Sequence, residues 1–417
     1  MKKFLALLLA AVLVFSFAAC SGSKDNDTTS AAGDSTSSAN TDVDYSKVKV
    51  GLICLHDENS TYDNNFIQAL KDTQAKLGLS DDQVLIKTNI GEDNGCLTAA
   101  QELADAGCNV IFADSFGHES YIMEAAKEFP NIQFCHATGT HAKTAELKNF
   151  HNAFAAIYEG RYLAGIAAGM KLNEMIKDGK IKAEEAVIGY VGAFNYAEVV
   201  SGLTSFFLGA RSVCESATMK VTYTNSWFDI ALEREAALDL INAGCVLISQ
   251  HADSEGAPKA CEEKNVPNVA YNIDTSSMGP NTALISSKIN WSPYYELMIN
   301  AVAKGEEIPT DWCGTLETGS VQLTKLNEKV AAEGTQAAID EATAKLEKGE
   351  IKVFDTATFT VENGKKLESY EADVIPDEKF EKDTEVVKDG AFLESDVDGM
   401  RSAPYFDIMY IDGISEK

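Results

Sequence analysis

Short apolar runs rich in β-branched residues alternate with segments of helical length along most of this chain. Four such runs begin at Ala186, Lys220, Val246 and Val269, and each is followed by a polar or aromatic cluster, the last of which ends at Asp274. Strands that alternate with helices assemble through right-handed crossovers into a parallel sheet. Because parallel strands end at one edge, the four clusters are predicted to meet there, where open α/β sheets bind ligands.

The first part of the chain repeats this unit. A buried strand begins at Lys47, and further strands begin at Val84, Asn109, Ile132 and Asn149, with segments of helical period between several of them. This order predicts a complete doubly wound lobe that precedes the sheet described above.

A chain of 417 residues has room for two such lobes. The predicted boundaries are 47–172 and 276–312 for the first lobe, and 173–275 and 313–417 for the second, which carries a carboxyl-terminal extension. The strand at 283–287 is expected to return to the first lobe. The chain would then cross between lobes three times, near 173–186, 275–282 and 312–323, and three crossings make a hinge.

The amino terminus has the pattern of a secretory signal. Lys2 and Lys3 precede an apolar stretch that is too short for a stable membrane span. Residues 17–20 (Phe-Ala-Ala-Cys) resemble a bacterial lipobox, in which Cys20 becomes the diacylated first residue of the mature protein, and two or more acyl chains give stable anchoring. The alternative is plain secretion with a leftover cysteine. Residues 21–46 are predicted to be a flexible tether, because 21–42 contain no aromatic or large aliphatic side chain.

Charge and cysteine content exclude several classes of partner. The formal net charge is −29, and removal of Lys2 and Lys3 with the signal makes it 33 − 64 = −31, which argues against nucleic acid or anionic lipid as partners. No C-x-x-C pair and no phosphate-binding glycine motif is present, so neither a zinc ribbon nor a nucleotide cofactor is predicted. The eight cysteines after Cys20 are expected to be mostly free thiols, although an even number outside the cytoplasm permits disulfides.

Five segments carry a resemblance to a known family. They are 158–165 (YEGRYLAG), 189–194 (GYVGAF), 207–213 (FLGARSV), 224–229 (TNSWFD) and 291–295 (WSPYY). They look like the basic membrane protein family, the lipoprotein substrate-binding components of purine-type ABC importers, and within it like the branch with the Asn-Ser-Trp motif. The resemblance covers about 47–359. It implies the type I periplasmic-binding-protein fold, in which two doubly wound α/β lobes joined by a three-crossing hinge close on a ligand.

The function implied by this resemblance is capture rather than catalysis. The protein would be lipid-anchored on the outer face of the bacterial cytoplasmic membrane, bind a purine nucleobase or nucleoside, and deliver it to an ABC permease with its ATPase subunit. The family signature Asp-x-Ser-Phe-Asn is present only as Asp63-Asn64-Asn65-Phe66-Ile67, which leaves the ligand open. A receptor for a simple sugar is the alternative. A nucleoside or glycoside hydrolase is a further alternative, because paired acids in a cleft can hydrolyse a glycosidic bond. It is disfavoured because no G-x-S-x-G elbow and no Cys/His pair stands at a strand end.

The candidate contact residues come from both lobes. Tyr62 and Trp227 would stack on the two faces of a purine, and Asp274 would accept hydrogen bonds from ribose hydroxyls or a base N–H. His251 and Asp253 are two residues apart at a strand end, so both point to one side. Phe116 and Phe194 are candidates to line the cleft, and Trp291 to wall it. The alternatives are core packing for Trp227, Phe116 and Phe194, a contact that holds the hinge for Trp291, and hinge hydrogen bonds for His251 and Asp253.

Overall fold

The computed structural model describes residues 43–375, 382–395, 399 and 401–417. The predicted lipidation residue Cys20 and most of the predicted tether lie outside these residues. The strands are β1 (Val50–Ile53), β2 (Val84–Lys87), β3 (Val110–Ala113), β4 (Gln133–Ala137), β5 (Phe150–Ala155), β6 (Val187–Gly192), β7 (Thr218–Tyr223), β8 (Leu247–Gln250), β9 (Asn268–Tyr271), β10 (Ala283–Ile289), β11 (Asp311–Gly314), β12 (Val321–Leu323), β13 (Glu371–Ala372), β14 (Thr384–Glu385), β15 (Val387–Lys388), β16 (Ala391–Phe392) and β17 (Ile414–Glu416). The helices are α1 (Thr61–Leu77), α2 (Asn94–Asp105), α3 (Glu119–Glu128), α4 (Ile157–Lys177), α5 (Ala197–Val213), α6 (Ile230–Asn242), α7 (Gly256–Lys264), α8 (Ser292–Lys304) and α9 (Thr335–Glu347).

Two large sheets organise the described residues. One has the strand order β11-β5-β4-β3-β1-β2 and the other β12-β10-β9-β8-β6-β7-β17. Every pairing in them is parallel except that of β10 with β12. Strands such as β1 are apolar and buried throughout their length, as expected where helices cover both faces of a sheet. The predicted two-sheet α/β architecture is confirmed, and each sheet with its helices is called a lobe below.

The strand at 283–287 is not in the first lobe, contrary to the prediction. β10 pairs in parallel with β9, so it extends the second sheet. The segment at 158–172 also differs from the prediction, because α4 packs on α5, β10 and α9 of the second lobe. A continuous apolar strand fits either sheet equally well, and only the pairing partner decides between them. The strand order still requires three crossings, and the one between β11 and β12 falls within the predicted range 312–323. The other two lie between β5 and α4 and between β10 and β11, so the predicted ranges 173–186 and 275–282 are wrong.

Small residues on α4 allow close contact with α5. A Cβ atom at Gly165 would lie 2.1 Å from the carbonyl oxygen of Phe206, and one at Gly169 would lie 2.4 Å from that of Ala210. Glycine is therefore required at both positions, because the two backbones leave no room for a side chain. This contact fixes α4, and with it Arg161, against the second sheet.

The carboxyl-terminal extension is an integral part of the second lobe. β17 pairs in parallel with β7, and the ring of Phe406 lies 4.6 Å from the rings of both Phe354 and Phe392. The apolar cluster at 403–410 therefore packs on the core of the second lobe. The extension also contacts the first lobe, where the amide of Ser402 donates to Asp311 Oδ1 at 3.0 Å. No helix in the described part of the chain is both long and apolar enough to span a bilayer.

Truncation of this cluster should destabilise the whole second lobe. Phe406 is fully buried, so Phe406→Ala is expected to lower the free energy of unfolding by about 3–5 kcal/mol. Ile375→Ala, at a residue that is 41% exposed, is the control and should have a much smaller effect. Urea unfolding measures both. Equal effects of the two substitutions would show that the extension does not contribute to the core.

Candidate ligand-binding site

A cavity with an empty volume of about 370 Å³ lies between the carboxyl ends of the two sheets. The lining residues from the first lobe are Leu55, His56, Tyr62, Asp63, Ser115, Phe116 and Thr138, and those from the second lobe are Glu198, Trp227, His251 and Asp253. Most of them follow strands, so the predicted gathering of polar and aromatic clusters at the sheet edge is what forms this cavity.

Five of the eight predicted contact residues line this cavity: Tyr62, Phe116, Trp227, His251 and Asp253. Tyr62 and Phe116 belong to the first lobe, and the other three belong to the second. The cavity therefore combines aromatic side chains from opposite lobes with polar groups, which is the arrangement that the sequence predicts.

The other three predicted residues lie elsewhere. Trp291 is buried in the core of the first lobe, where its ring stacks on Phe66 at 4.3 Å. Phe194 does not line the cavity, but its ring contacts that of Trp227 edge-on at 4.9 Å and so supports it. Asp274 also lies outside the cavity, and its Oδ1 accepts a hydrogen bond from the amide of Ser276.

The position of Asp274 follows from a turn that the sequence pattern does not reveal. β9 ends at Tyr271, and Asn272 has a left-handed backbone with φ of 70°. The chain therefore turns immediately after the strand, before it reaches Asp274. Asn272 itself supports a lining residue, because its side-chain amide donates to Asp253 Oδ1 at 3.1 Å.

Asp253 connects the two lobes. Its carbonyl oxygen accepts a hydrogen bond from the amide of Thr61 at 2.8 Å, across the cleft at the start of α1. Its own amide donates to the carbonyl oxygen of Trp227 at 2.9 Å. Burial, reinforced by the charge of Glu233, raises the pKa of the Asp253 carboxyl well above its ordinary value. The lobes are thus in direct contact at the residue that also fixes the loop carrying Trp227.

Aromatic rings surround the cavity and its mouth. The Tyr62 hydroxyl donates to the carbonyl oxygen of Asp114 at 2.8 Å, which fixes the ring in the first lobe. Phe116 of the first lobe lies 5.7 Å from Tyr196 of the second, and both are about half exposed. Aromatic rings from the two lobes therefore meet at the edge of the cleft.

Two buried carboxyl groups of the first lobe have opposite pKa shifts. Asp63 accepts hydrogen bonds from the His56 amide at 2.8 Å and the Ser60 hydroxyl at 2.5 Å. Burial acts to raise the pKa of Asp63, but the hydrogen bonds from His56 and Ser60 outweigh it, so the pKa lies below its ordinary value. Burial and the charge of Asp63 raise the pKa of Asp114 well above its ordinary value. Asp63 is therefore the anion and Asp114 the protonated partner.

Cys54, Asp63 and Asp114 are close enough to hold a metal ion, because one ligand atom from each lies within 4.8 Å of the others. Burial also raises the pKa of the Cys54 thiol. Metal ligands must be deprotonated, and two of these three groups hold their protons. The chemistry of the group therefore favours internal hydrogen bonding over cation binding.

A charged network in the second lobe was not predicted from the sequence. Arg161 is buried, and its Nη1 donates to the Gln250 carbonyl at 2.8 Å while its Nη2 lies 2.9 Å from His251 Nδ1. An arginine can only donate, so Nδ1 accepts and the ring proton is on Nε2. That nitrogen lies 3.3 Å from Glu198 Oε1. Burial lowers the pKa of His251, which keeps the ring neutral. Arg161 lies in one of the family-like segments, but nothing in the sequence pattern directs Glu198 to the cavity.

The contrast between Asp63 and Asp114 can be tested with isosteric amides. Asp63→Asn removes an anion that accepts two hydrogen bonds and should lower the free energy of unfolding at pH 7 by about 1–3 kcal/mol. Asp114→Asn replaces one neutral group with another and should have a smaller effect. The stability from Asp63 is present above the ordinary carboxyl pKa of about 3.9 and is lost as the pH falls through its lower folded value. Urea unfolding at several pH values measures this, and equal costs for both substitutions at pH 7 would contradict the assignment.

Comparison with known proteins identifies the family. Residues 50–356 match the family described as ABC transporter substrate-binding protein PnrA-like. A purine-binding protein of Brucella abortus is 32% identical over 312 residues, which cover 74% of this chain and 83% of the relative. A putative ABC transporter glucose-binding protein of Haloferax volcanii is 34% identical over 233 residues, which cover 56% of each chain.

The solved structure of an ABC transporter solute-binding protein from Conexibacter woesei has a TM-score of 0.60 and 20% identity, and the match covers 73% of this chain and 98% of that one. This likeness confirms the predicted periplasmic-binding-protein fold, with its parallel sheets. The family match extends over most of the chain and agrees with the predicted resemblance. The protein therefore belongs to the PnrA-like family of ABC transporter substrate-binding proteins.

Proposed function

We propose that this protein captures a purine nucleobase or nucleoside between its lobes and delivers it to the permease of an ABC importer. The observation that carries the proposal is the cavity between the strand ends, which Tyr62 and Phe116 line from the first lobe and Trp227 from the second. A planar heterocycle suits such a site, because aromatic rings cover its faces while polar groups pair with its edges. The purine-binding relative from Brucella supports the same ligand class.

The mechanism follows from the contact between the lobes. Ligand binding favours the closed form, because only there do both lobes touch the solute. The hydrogen bond from the Thr61 amide to the Asp253 carbonyl forms on closure, and it links closure to the position of the loop that carries Trp227. The closed form then docks to the permease, whose ATPase subunit supplies the energy for import. Hinge closure around a ligand is a common transition in two-lobed binding proteins.

A simple sugar is the second candidate ligand. The glucose-binding relative from Haloferax favours it, and carboxylates such as Asp63 and Glu198 could accept hydrogen bonds from sugar hydroxyls. The aromatic contribution from both lobes favours the purine, since two opposed rings cover both faces of a flat molecule. Neither ligand requires turnover, and we infer that the protein is not an enzyme.

We also infer that the protein works on the outer face of the cytoplasmic membrane, held there by lipid on Cys20. The supporting pattern is the basic and apolar leader followed by the lipobox-like residues 17–20. Two or more acyl chains would anchor the protein stably, and the polar residues at 21–42 would let the lobes reach the permease.

Purine binding should depend on Trp227. Calorimetric titration of the mature protein with adenine, guanine, guanosine and inosine is expected to show saturable binding, and Trp227→Ala should weaken it about tenfold or more through loss of stacking. Leu232→Ala, at an exposed residue of the helix that follows, is the control and should bind like wild type. Binding of glucose without any purine would support the sugar alternative. Purine affinity unaffected by Trp227→Ala would refute the stacking role.

Membrane attachment should depend on Cys20. In bacteria that express the full chain, the wild type should partition into detergent with the membrane fraction, and Cys20→Ser should move it into the aqueous fraction. Cys313→Ser keeps the proposed acylation residue and serves as the control. A wild-type protein that partitions into the aqueous phase would show plain secretion instead.

A further inference from the structure

We propose that Glu198 is the specificity-determining residue of the cavity, and that it selects purines whose edge carries a ring N–H beside an exocyclic amino group. Guanine and guanosine have such an edge. The inference rests on the proposed function, because it concerns which purine the same cavity takes.

Glu198 presents a carboxylate that has no aligned protein donor. It lies in the first turn of α5 and lines the cavity, with 15% of its side chain exposed. Its Oε1 is buried and has no hydrogen-bond partner among the described residues, since the approach of His251 Nε2 at 3.3 Å is not aligned for a bond. Buried acceptors in folded proteins are nearly always satisfied, so a donor from the ligand is the missing partner.

The other carboxylates that line the cavity are already engaged by the protein. Asp63 accepts from the His56 amide and the Ser60 hydroxyl, one on each oxygen. Asp253 accepts from the Asn272 amide on Oδ1. Of the three lining carboxylates, Glu198 alone has no hydrogen bond from the described part of the chain. Glu198 is therefore the lining carboxylate whose two oxygens can both accept hydrogen bonds from the edge of a ligand.

Two features favour a carboxylate at Glu198 and fix its surroundings. The first turn of a helix stabilises a carboxylate through the amide groups at the helix end. Behind Glu198, Arg161 supplies a positive charge and fixes the tautomer of His251, which places the ring proton on Nε2, 3.3 Å from Glu198 Oε1 but without the alignment of a hydrogen bond. Arg161 is itself held by the Gln250 carbonyl and by the face of the Tyr271 ring, 3.4 Å from its guanidinium carbon. Arg161 and His251 thus act as positioning residues.

The chemistry of a carboxylate then decides which purine edge fits. Both of its oxygens accept and neither donates, so it matches two adjacent donors in a bidentate, charge-assisted pair. Guanine offers a ring N–H and an amino group side by side, whereas hypoxanthine lacks the amino group. Adenine presents its amino group beside a ring acceptor, an edge that pairs instead with the carboxamide of Asn or Gln.

The test is calorimetry on the mature protein with guanosine, inosine and adenosine, and with the corresponding free bases. Wild type should bind the guanine ligands at least about tenfold more tightly than the hypoxanthine ligands. The hypoxanthine ligands lack the amino group and therefore lose one hydrogen bond to the Glu198 carboxylate. Glu198→Gln should abolish this preference and improve the relative affinity for adenine ligands, since the carboxamide offers one donor and one acceptor. Glu198→Asp keeps two acceptor oxygens and should keep the order of preference.

Glu235→Gln, at an exposed position on α6, is the matched control and should behave like wild type. Thermal melts of each variant check that the fold is intact. Retention of the wild-type order by Glu198→Gln, or a wild type that prefers adenine, would overturn the assignment of Glu198 while leaving purine capture intact. A wild type that binds none of these purines would instead overturn the proposed function, and with it this inference.

Discussion

The hydrogen bond from the Thr61 amide to the carbonyl oxygen of Asp253 joins the two lobes beside the cavity, and the closure that we propose depends on it. It joins the first residue of α1 in one lobe to the loop after β8 in the other. The first amides of a helix have no partner within the helix, so this one is available to a group from outside. Because Asp253 also binds the backbone of Trp227 and the side chain of Asn272, one bond between lobes fixes three strand ends of the second sheet.

The electrostatics of the cavity are set by burial as much as by charge. Burial first, and neighbouring carboxylates second, raise the pKa of both Asp114 and Asp253, so neither adds a full negative charge to the closed site. Asp63 stays ionised because its hydrogen bonds outweigh its burial. Glu198 has Arg161 behind it, with His251 between them.

Much of this arrangement could be predicted from the sequence, because the positions of strand ends follow from hydrophobic patterns. The placement of Trp227, His251 and Asp253 at the cavity follows in this way, since a polar or aromatic residue directly after an apolar run lies at the sheet edge. Asp274 was misplaced because the left-handed turn at Asn272 has no signal in an apolar-polar pattern. Glu198 and Arg161 were missed because they lie on helices, where the pattern shows which residues are buried but not which cavity they face.

The misassignment of β10 has a different cause. Its residues would form a buried strand in either lobe, and sheet membership depends on pairing with β9, which is a long-range choice.

Closure of the lobes on a ligand is tested most directly by hydrogen–deuterium exchange at the Thr61 amide, measured by mass spectrometry with and without saturating guanosine. We predict markedly slower exchange at Thr61 in the ligand-bound protein. Unchanged exchange at this amide, in a protein that calorimetry shows to be saturated, would contradict closure through Asp253.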